Sequence, residues 1–139
     1  MKTQVLRQEH QALLKLVGDL STGIQATACD AALGKQCRDQ LVQLGAQLNI
    51  HLIAEDKMVY PDLAAGKDAV AAETARRFMA EMGQIGEAFK KFMKKYPAGA
   101  TIEAQYAVFC ADLKEIFKVI GARITREEAE LYPLVDKTM

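Results

Sequence analysis

The chain has 139 residues, half of them apolar, and a formal charge of zero. This length predicts one domain over residues 1–139 with enough apolar surface for a core. The mixture of acids and bases offers no basic footprint for nucleic acid, and no apolar run approaches the roughly 18 residues of a membrane span. The first residues become charged too early for a secretory signal, so we expect a cytoplasmic protein without nucleic-acid or membrane partners.

The cysteines are Cys29, Cys37 and Cys110, an odd number with no C-x-x-C spacing. This pattern favours reduced thiols over a disulfide framework or a zinc site. We interpret Cys37 and Cys110 as small core residues and Cys29 as a loop thiol.

Glycine- and proline-containing clusters divide the chain into four long segments, in each of which apolar residues recur in steps of four and three. This spacing is typical of helices that present one stripe to a core. The first two stripes are Leu6, His10, Leu13, Val17, Leu20 and Ile24, then Cys37, Leu41, Leu44, Leu48, His51, Glu55 and Met58. The last two are Phe78, Met82, Ile85, Phe89 and Phe92, then Ile102, Tyr106, Phe109, Leu113, Ile116, Ile120, Arg123 and Glu127. Four helices with short connections predict an all-α, up-down-up-down four-helix bundle.

The ends of the predicted helices carry recognisable signals. Asp30 is placed to cap the second helix and Thr101 the fourth. A tyrosine–proline pair follows the second helix at residues 60–61 and the fourth at residues 132–133. We expect both helices to stop before these prolines, with the tyrosines capping the ends.

The two halves of the chain match without a gap when they are shifted by 72 residues. The stripes coincide, and so do several acids and both tyrosine–proline pairs. The matched polar positions are Glu9 with Glu81, Glu55 with Glu127, Asp56 with Glu128, Tyr60 with Tyr132, and His51 with Arg123. The chain is therefore predicted to be an internal duplication of a helical hairpin, whose matched positions converge in the bundle centre.

Five polar residues interrupt the apolar stripes: His10, His51, Glu55, Arg123 and Glu127. A buried carboxylate is costly without a partner, so the two glutamates require a proton, a cation or a metal nearby. His51 and Glu55 lie one helical turn apart on the same face and can reach a common ion. Two histidines with carboxylates form a donor set suited to iron, manganese or zinc.

A metal-free arrangement is also compatible with these residues. Arg123 can pair with one glutamate while a protonated histidine pairs with the other, so that the charges cancel. Because Arg123 stands near the end of the fourth helix, its side chain can alternatively extend to solvent. The residues alone leave these arrangements open.

The segments QEHQALLKLV, HLIAEDKMVYP and RITREEAELYP resemble those of the hemerythrin-like, or HHE cation-binding, family of four-helix bundles. In that family each hairpin gives a histidine from its first helix and a His-x-x-x-Glu pair from its second, and together they hold two irons. The resemblance implies one intact half-site, formed by His10, His51 and Glu55 with Glu127 reaching across. In the other half, Met82 and Arg123 stand where the family has histidines.

The two replacements argue against a diiron centre. An arginine stays protonated and cannot ligate a metal, but it pairs well with carboxylates. Met82 is apolar, and its thioether is a poor ligand for a hard iron ion. The resemblance therefore implies one mononuclear metal, iron before zinc or manganese, with Arg123 supplying a fixed charge in place of the second ion.

Two functions follow as hypotheses. In the first, one non-haem iron senses or stores something small, such as iron itself or a diatomic ligand, and does not transport dioxygen. In the second, metal binding is lost and the bundle is a structural or interaction module. We expect no enzyme activity, because the sequence offers no nucleophile–base pair and no glycine-rich phosphate loop.

Overall fold

The computed structural model describes residues 2–139. In the first half, α1 covers Gln4–Gly23 and α2 covers Ala31–Ala54, and one π-helical turn, Glu55–Val59, leads from α2 into the short α3, Tyr60–Ala64. The Asp30 side chain accepts a hydrogen bond of 2.8 Å from the Leu33 amide. The predicted cap of α2 is confirmed.

The second half is more divided than the sequence predicted. Its third segment consists of two helices, α4 (Ala69–Met82) and α5 (Ile85–Lys95). At the break, a Cβ atom on Gly83 would lie 2.5 Å from the carbonyl oxygen of Met79, so this close approach requires glycine.

The fourth segment also begins with a separate short helix. Here α6 (Gly99–Ala104) precedes α7 (Tyr106–Arg126), and a second π-helical turn, Glu127–Leu131, leads into α8 (Tyr132–Thr138). Thr101 lies inside α6 and does not cap a helix, so that prediction is wrong. The break at Gln105 is where the longer α7 starts.

The helices pack as an all-α bundle, as predicted: α2 lies against α1, α5 and α6, and α7 lies against α1 and α5. Residues 2–139 contain no β-strand. The predicted stripes supply most of the core, and its largest side chains with almost no exposure are Tyr60, Tyr96, Tyr132, Phe78, Phe109, Leu13, Leu20, Leu41, Leu44, Ile102, Leu113 and Leu131.

The π-helical turns correct the predicted helix ends. The Tyr60 amide donates to the Glu55 carbonyl five residues earlier, and Tyr132 bonds to Glu127 in the same way. Because each turn contains one extra residue, the tyrosine takes the position that faces the core. Met58 is therefore 62% exposed, whereas the four-three spacing predicted that it would be buried. The prolines then lie in the first turns of α3 and α8, where a missing N–H is tolerated.

The three cysteines lie outside both π-helical turns. Cys37 is buried, and Cys29 and Cys110 are partly exposed, with all three unbridged.

Over the described residues, no helix has the length and apolarity needed to cross a bilayer.

Candidate metal centre

Four side chains converge in the bundle interior next to the π-helical turns. His10 comes from α1, His51 from the last turn of α2, and Glu55 and Glu127 each open a π-helical turn. All four are at most 2% exposed, and one ligand atom from each can be chosen so that all lie within 4.8 Å of one another. The structure thus brings together the four residues that the sequence singled out as metal ligands.

Carboxylates outside this quartet fix the orientation of both imidazoles. His10 Nδ1 lies 3.0 Å from Glu128 Oε2, and His51 Nδ1 lies 2.8 Å from Glu9 Oε1. A neutral histidine that donates Nδ1–H to a carboxylate presents its Nε2 lone pair on the opposite side of the ring. This is the arrangement in which proteins commonly hold metal-ligating histidines.

The inward Nε2 atoms face acceptors. His51 Nε2 lies 2.9 Å from Glu55 Oε1 but lacks hydrogen-bond geometry, so it is a buried polar atom without a partner. His10 Nε2 lies 3.1 Å from Glu127 Oε1. When the imidazoles are neutral with Nδ1–H, no proton separates these lone pairs from the carboxylates. The donor set therefore fits a cation, either a metal or a proton on the rings.

The charges in the cluster shift the pKa values of its members. Burial alone would lower the pKa of His51, but Glu55 and Glu9 raise it to about 9. Burial would raise the pKa of Glu127, but its bond with His10 and the charge of Arg123 lower it to about 2. Burial raises the pKa of Glu55, and the nearby charge of Glu127 adds to this effect. The positive charge of Arg123 is thus shared unequally between the two glutamates.

The Arg123 side chain points into the cluster and does not reach solvent. It is 3% exposed; its Nε donates to Glu127 Oε2 at 3.1 Å, and its Nη2 donates to Glu55 Oε1 at 3.2 Å and to Asp56 Oδ1 at 2.7 Å. The extended conformation considered from the sequence is not adopted. The guanidinium bridges both glutamates on the side where the family resemblance places a second metal.

Met82 contributes to this side mainly through its backbone. Its carbonyl oxygen accepts a 3.2 Å hydrogen bond from Arg123 Nη1. Its sulfur lies 3.9 Å from Nη1 of Arg126, a partly exposed arginine. The side chain is 8% exposed, which agrees with the apolar filling role predicted from the sequence.

Two tyrosines belong to the cluster, which the sequence reasoning missed by treating them as helix caps. The Tyr60 hydroxyl donates to Glu127 Oε2, and the Tyr132 hydroxyl donates to Glu55 Oε2, both at 2.5 Å. The tyrosine of each half therefore bonds the glutamate of the other half. The available signal was their matched position in the repeat, five residues after each glutamate.

A small apolar cavity adjoins the cluster. It is lined by His51, Arg123 and Glu127 on the polar side, and its apolar lining is Leu13, Leu48, Leu52, Ile85, Ile120 and Ile124. Its volume of about 10 Å³ is close to the minimum for holding one water. The cluster therefore has space beside it only for a very small molecule.

Comparison with known proteins identifies the fold family. No curated protein and no solved structure matches the chain at a significant level. The family model described as the hemerythrin HHE cation binding domain matches residues 1–135, which is almost the whole chain. The chain therefore belongs to the hemerythrin HHE cation-binding domain family.

Proposed function

We propose that this protein binds a single metal ion, iron before zinc or manganese, through His10, His51, Glu55 and Glu127. The observation that carries the proposal is the pair of buried Nε2 atoms that face carboxylate oxygens while carboxylates hold both Nδ1 atoms. Two nitrogens and two carboxylates suit all three metals. The membership of a cation-binding family supports the same conclusion.

One ion is proposed in place of two because Arg123 takes the other half of the centre. Its guanidinium contacts both glutamates within 3.2 Å, and a second cation there would face a fixed positive charge at close range. Met82 offers no nitrogen in the same half. The proposal also agrees with the internal duplication predicted from the sequence, in which one hairpin carries the histidine ligands and the other has Met82 and Arg123 in their place.

The proposed role is the sensing or storage of a small species, either the metal itself or a diatomic molecule, without catalysis or dioxygen transport. A bound iron would supply a Lewis acid and a one-electron redox couple. Around it, Glu9 and Glu128 orient the imidazoles, and the charge of Arg123 favours the ionised forms of both glutamates. The apolar cavity next to His51 excludes bulk water and leaves room for no more than about one water-sized molecule.

The test is metal analysis of protein loaded with Fe(II) without oxygen and then freed of unbound metal. We expect about one iron per chain in the wild type and almost none in His51→Ala. Ile50→Ala is the matched control, because Ile50 adjoins His51 on α2 but is 62% exposed. Parallel loading with Zn(II) and Mn(II) ranks the metals. A wild type that retains no more metal than His51→Ala would show that the proposal is wrong.

A metal-free structural or interaction module is the second candidate. The observation that favours it is that His51 Nε2 lies 2.9 Å from Glu55 Oε1 and Arg123 Nε lies 3.1 Å from Glu127 Oε2, so a protonated His51 and Arg123 would together balance the two glutamates. The raised pKa of His51, about 9, agrees with this arrangement. In that state the core is neutral without any ion. The two candidates differ in the same experiment, because the module retains no iron and its melting temperature is unchanged by added metal.

A further inference from the structure

The phenol oxygen of Tyr132 lies among the proposed ligand atoms. It is 3.0 Å from His10 Nε2 and 2.5 Å from Glu55 Oε2, and the side chain is fully buried. Around the centre, neighbouring donor atoms follow one another at short spacing. His10 Nε2 is 3.1 Å from Glu127 Oε1, and His51 Nε2 is 2.9 Å from Glu55 Oε1.

These spacings are hydrogen-bond distances, and they also match the separation of neighbouring ligands around one ion. Two ligands about 2.1 Å from a metal and at right angles to each other are about 3 Å apart. We propose that Tyr132 is a fifth ligand, binding as phenolate to the ferric form of the single ion. The inference rests on the proposed function and adds a ligand to that site.

The hydrogen bonds of Tyr132 and His10 support this assignment. A phenol has one proton, and Tyr132 donates it to Glu55 at the shorter of its two contacts. His10 Nε2 therefore receives no proton from Tyr132 when His10 Nδ1–H bonds Glu128. The phenol oxygen and His10 Nε2 thus present lone pairs to each other at 3.0 Å, a contact that a shared cation would stabilise.

The ring of Tyr132 is held in place for this role. It stacks on the His10 ring with a centroid distance of 5.1 Å and an interplanar angle of 17°. The guanidinium of Arg7 covers the ring at 5.2 Å from its centroid. This packing leaves the oxygen directed at the cluster, so ligation needs little rearrangement of the side chain.

Tyr60, the counterpart of Tyr132 in the repeat, has different surroundings. Its hydroxyl donates to Glu127 Oε2, the same oxygen that accepts from Arg123 Nε. The Arg123 guanidinium also lies 5.2 Å from the centre of its ring. Tyr60 therefore faces the arginine half of the centre. The control for Tyr132 is Tyr106, which lies outside the cluster and whose hydroxyl donates to the Ala26 carbonyl oxygen.

Ligation by Tyr132 is an exchange of partners without electron transfer. The phenol O–H bond breaks, the oxygen–iron bond forms, and the proton leaves to the buffer, as is usual when metals bind protonated ligands. An anionic oxygen is a hard ligand and suits a ferric ion. The oxidant that converts Fe(II) to Fe(III) is a one-electron chemical oxidant added in stoichiometric amount.

The experiment measures the visible absorption and resonance Raman spectra of the iron-loaded protein after that oxidation. We expect a phenolate-to-iron charge-transfer band with enhanced phenolate ring modes in the wild type, complete loss in Tyr132→Phe, and retention in Tyr106→Phe. Iron content and circular dichroism are measured on every sample. These spectra report the ligand itself and are independent of any activity.

Each outcome has a defined meaning. Wild-type protein that holds one ferric ion without the band overturns the role of Tyr132 and leaves the proposed metal site intact. A band that persists in Tyr132→Phe, or that is lost equally in Tyr106→Phe, also overturns it. Wild-type protein that binds no iron overturns both proposals. Because the wild-type spectrum alone can contradict the inference, poor folding of Tyr132→Phe does not remove the test.

Discussion

The two halves of the centre carry the same scaffold and different chemistry. One half presents His10 and His51, each held at Nδ1 by a carboxylate. In the other half, Arg123 stands at the position that matches His51 and bonds both central glutamates. The difference shows that one guanidinium can pair with both buried glutamates. That half therefore keeps a buried acid and contributes no histidine.

The largest effect is expected when both halves of the centre are given the same histidine ligands. The double substitution Met82→His with Arg123→His should raise the iron content from about one to about two per chain, because it restores nitrogen at both altered positions. Arg123→His alone should have a smaller effect. Elemental analysis after anaerobic loading measures this, with wild type treated in parallel. A ratio that stays at one would mean that the second half no longer has the geometry for a metal.

Removing the fixed charge tests how far the glutamates depend on it. Arg123→Met should destabilise the metal-free protein by about 3 to 5 kcal/mol, because it leaves buried carboxylates without their partner. Urea unfolding monitored by circular dichroism measures the change. Arg126→Met is the control: Arg126 is partly exposed and pairs with Glu81, so it should cost at most about 1 kcal/mol. A near-zero effect of Arg123→Met would contradict the role of the guanidinium.

The carboxylates that bond the histidines offer a finer test of the half proposed to ligate the metal. Glu128→Gln should weaken metal binding about 10- to 100-fold, because the His10 tautomer is then less firmly held. Competition with a chromophoric chelator measures the affinity. Glu130→Gln, an exposed acid two residues away, is the control. Equal affinities for the two variants would remove Glu128 from the proposed site.

The smallest effect is expected at Asp56, which matches Glu128 in the repeat but serves the other half. Its carboxylate bonds Arg123 Nη2 and is partly exposed. Asp56→Asn should therefore lower the free energy of unfolding by about 1 kcal/mol while leaving metal affinity unchanged. Paired urea and chelator titrations separate these two results. A loss of affinity comparable to that of Glu128→Gln would mean that the halves are not independent.

The sequence was sufficient to predict the bundle and the four converging side chains. Both followed from helical spacing, since positions three and four residues apart must share a face. His51 and Glu55 were recognisable as a pair for this reason. His10 and Glu127 stood out because they occupy apolar positions on other helices.

The remaining features depend on contacts between distant parts of the chain. A π-helical turn has no strong local signal, so the spacing placed Met58 inside. Pro61 also predicted the end of the second helix, although the π-helical turn carries the helical path into α3. The bonds from Tyr60 to Glu127 and from Tyr132 to Glu55 cross between the halves, and the repeat does not specify such pairing. Likewise, whether Arg123 turns inward or outward is decided by Glu55, Asp56 and Glu127 acting together.

The π-helical turns also define where this chain tolerates a change in length. Each turn places a glutamate and a tyrosine five residues apart on one face, whereas an ordinary α-helix would place them four apart. Deleting one exposed residue within the turn, such as Met58, would convert it to α-helix and keep Glu55 and Tyr60 facing inward. A one-residue gap at this point of an alignment is therefore compatible with an unchanged centre.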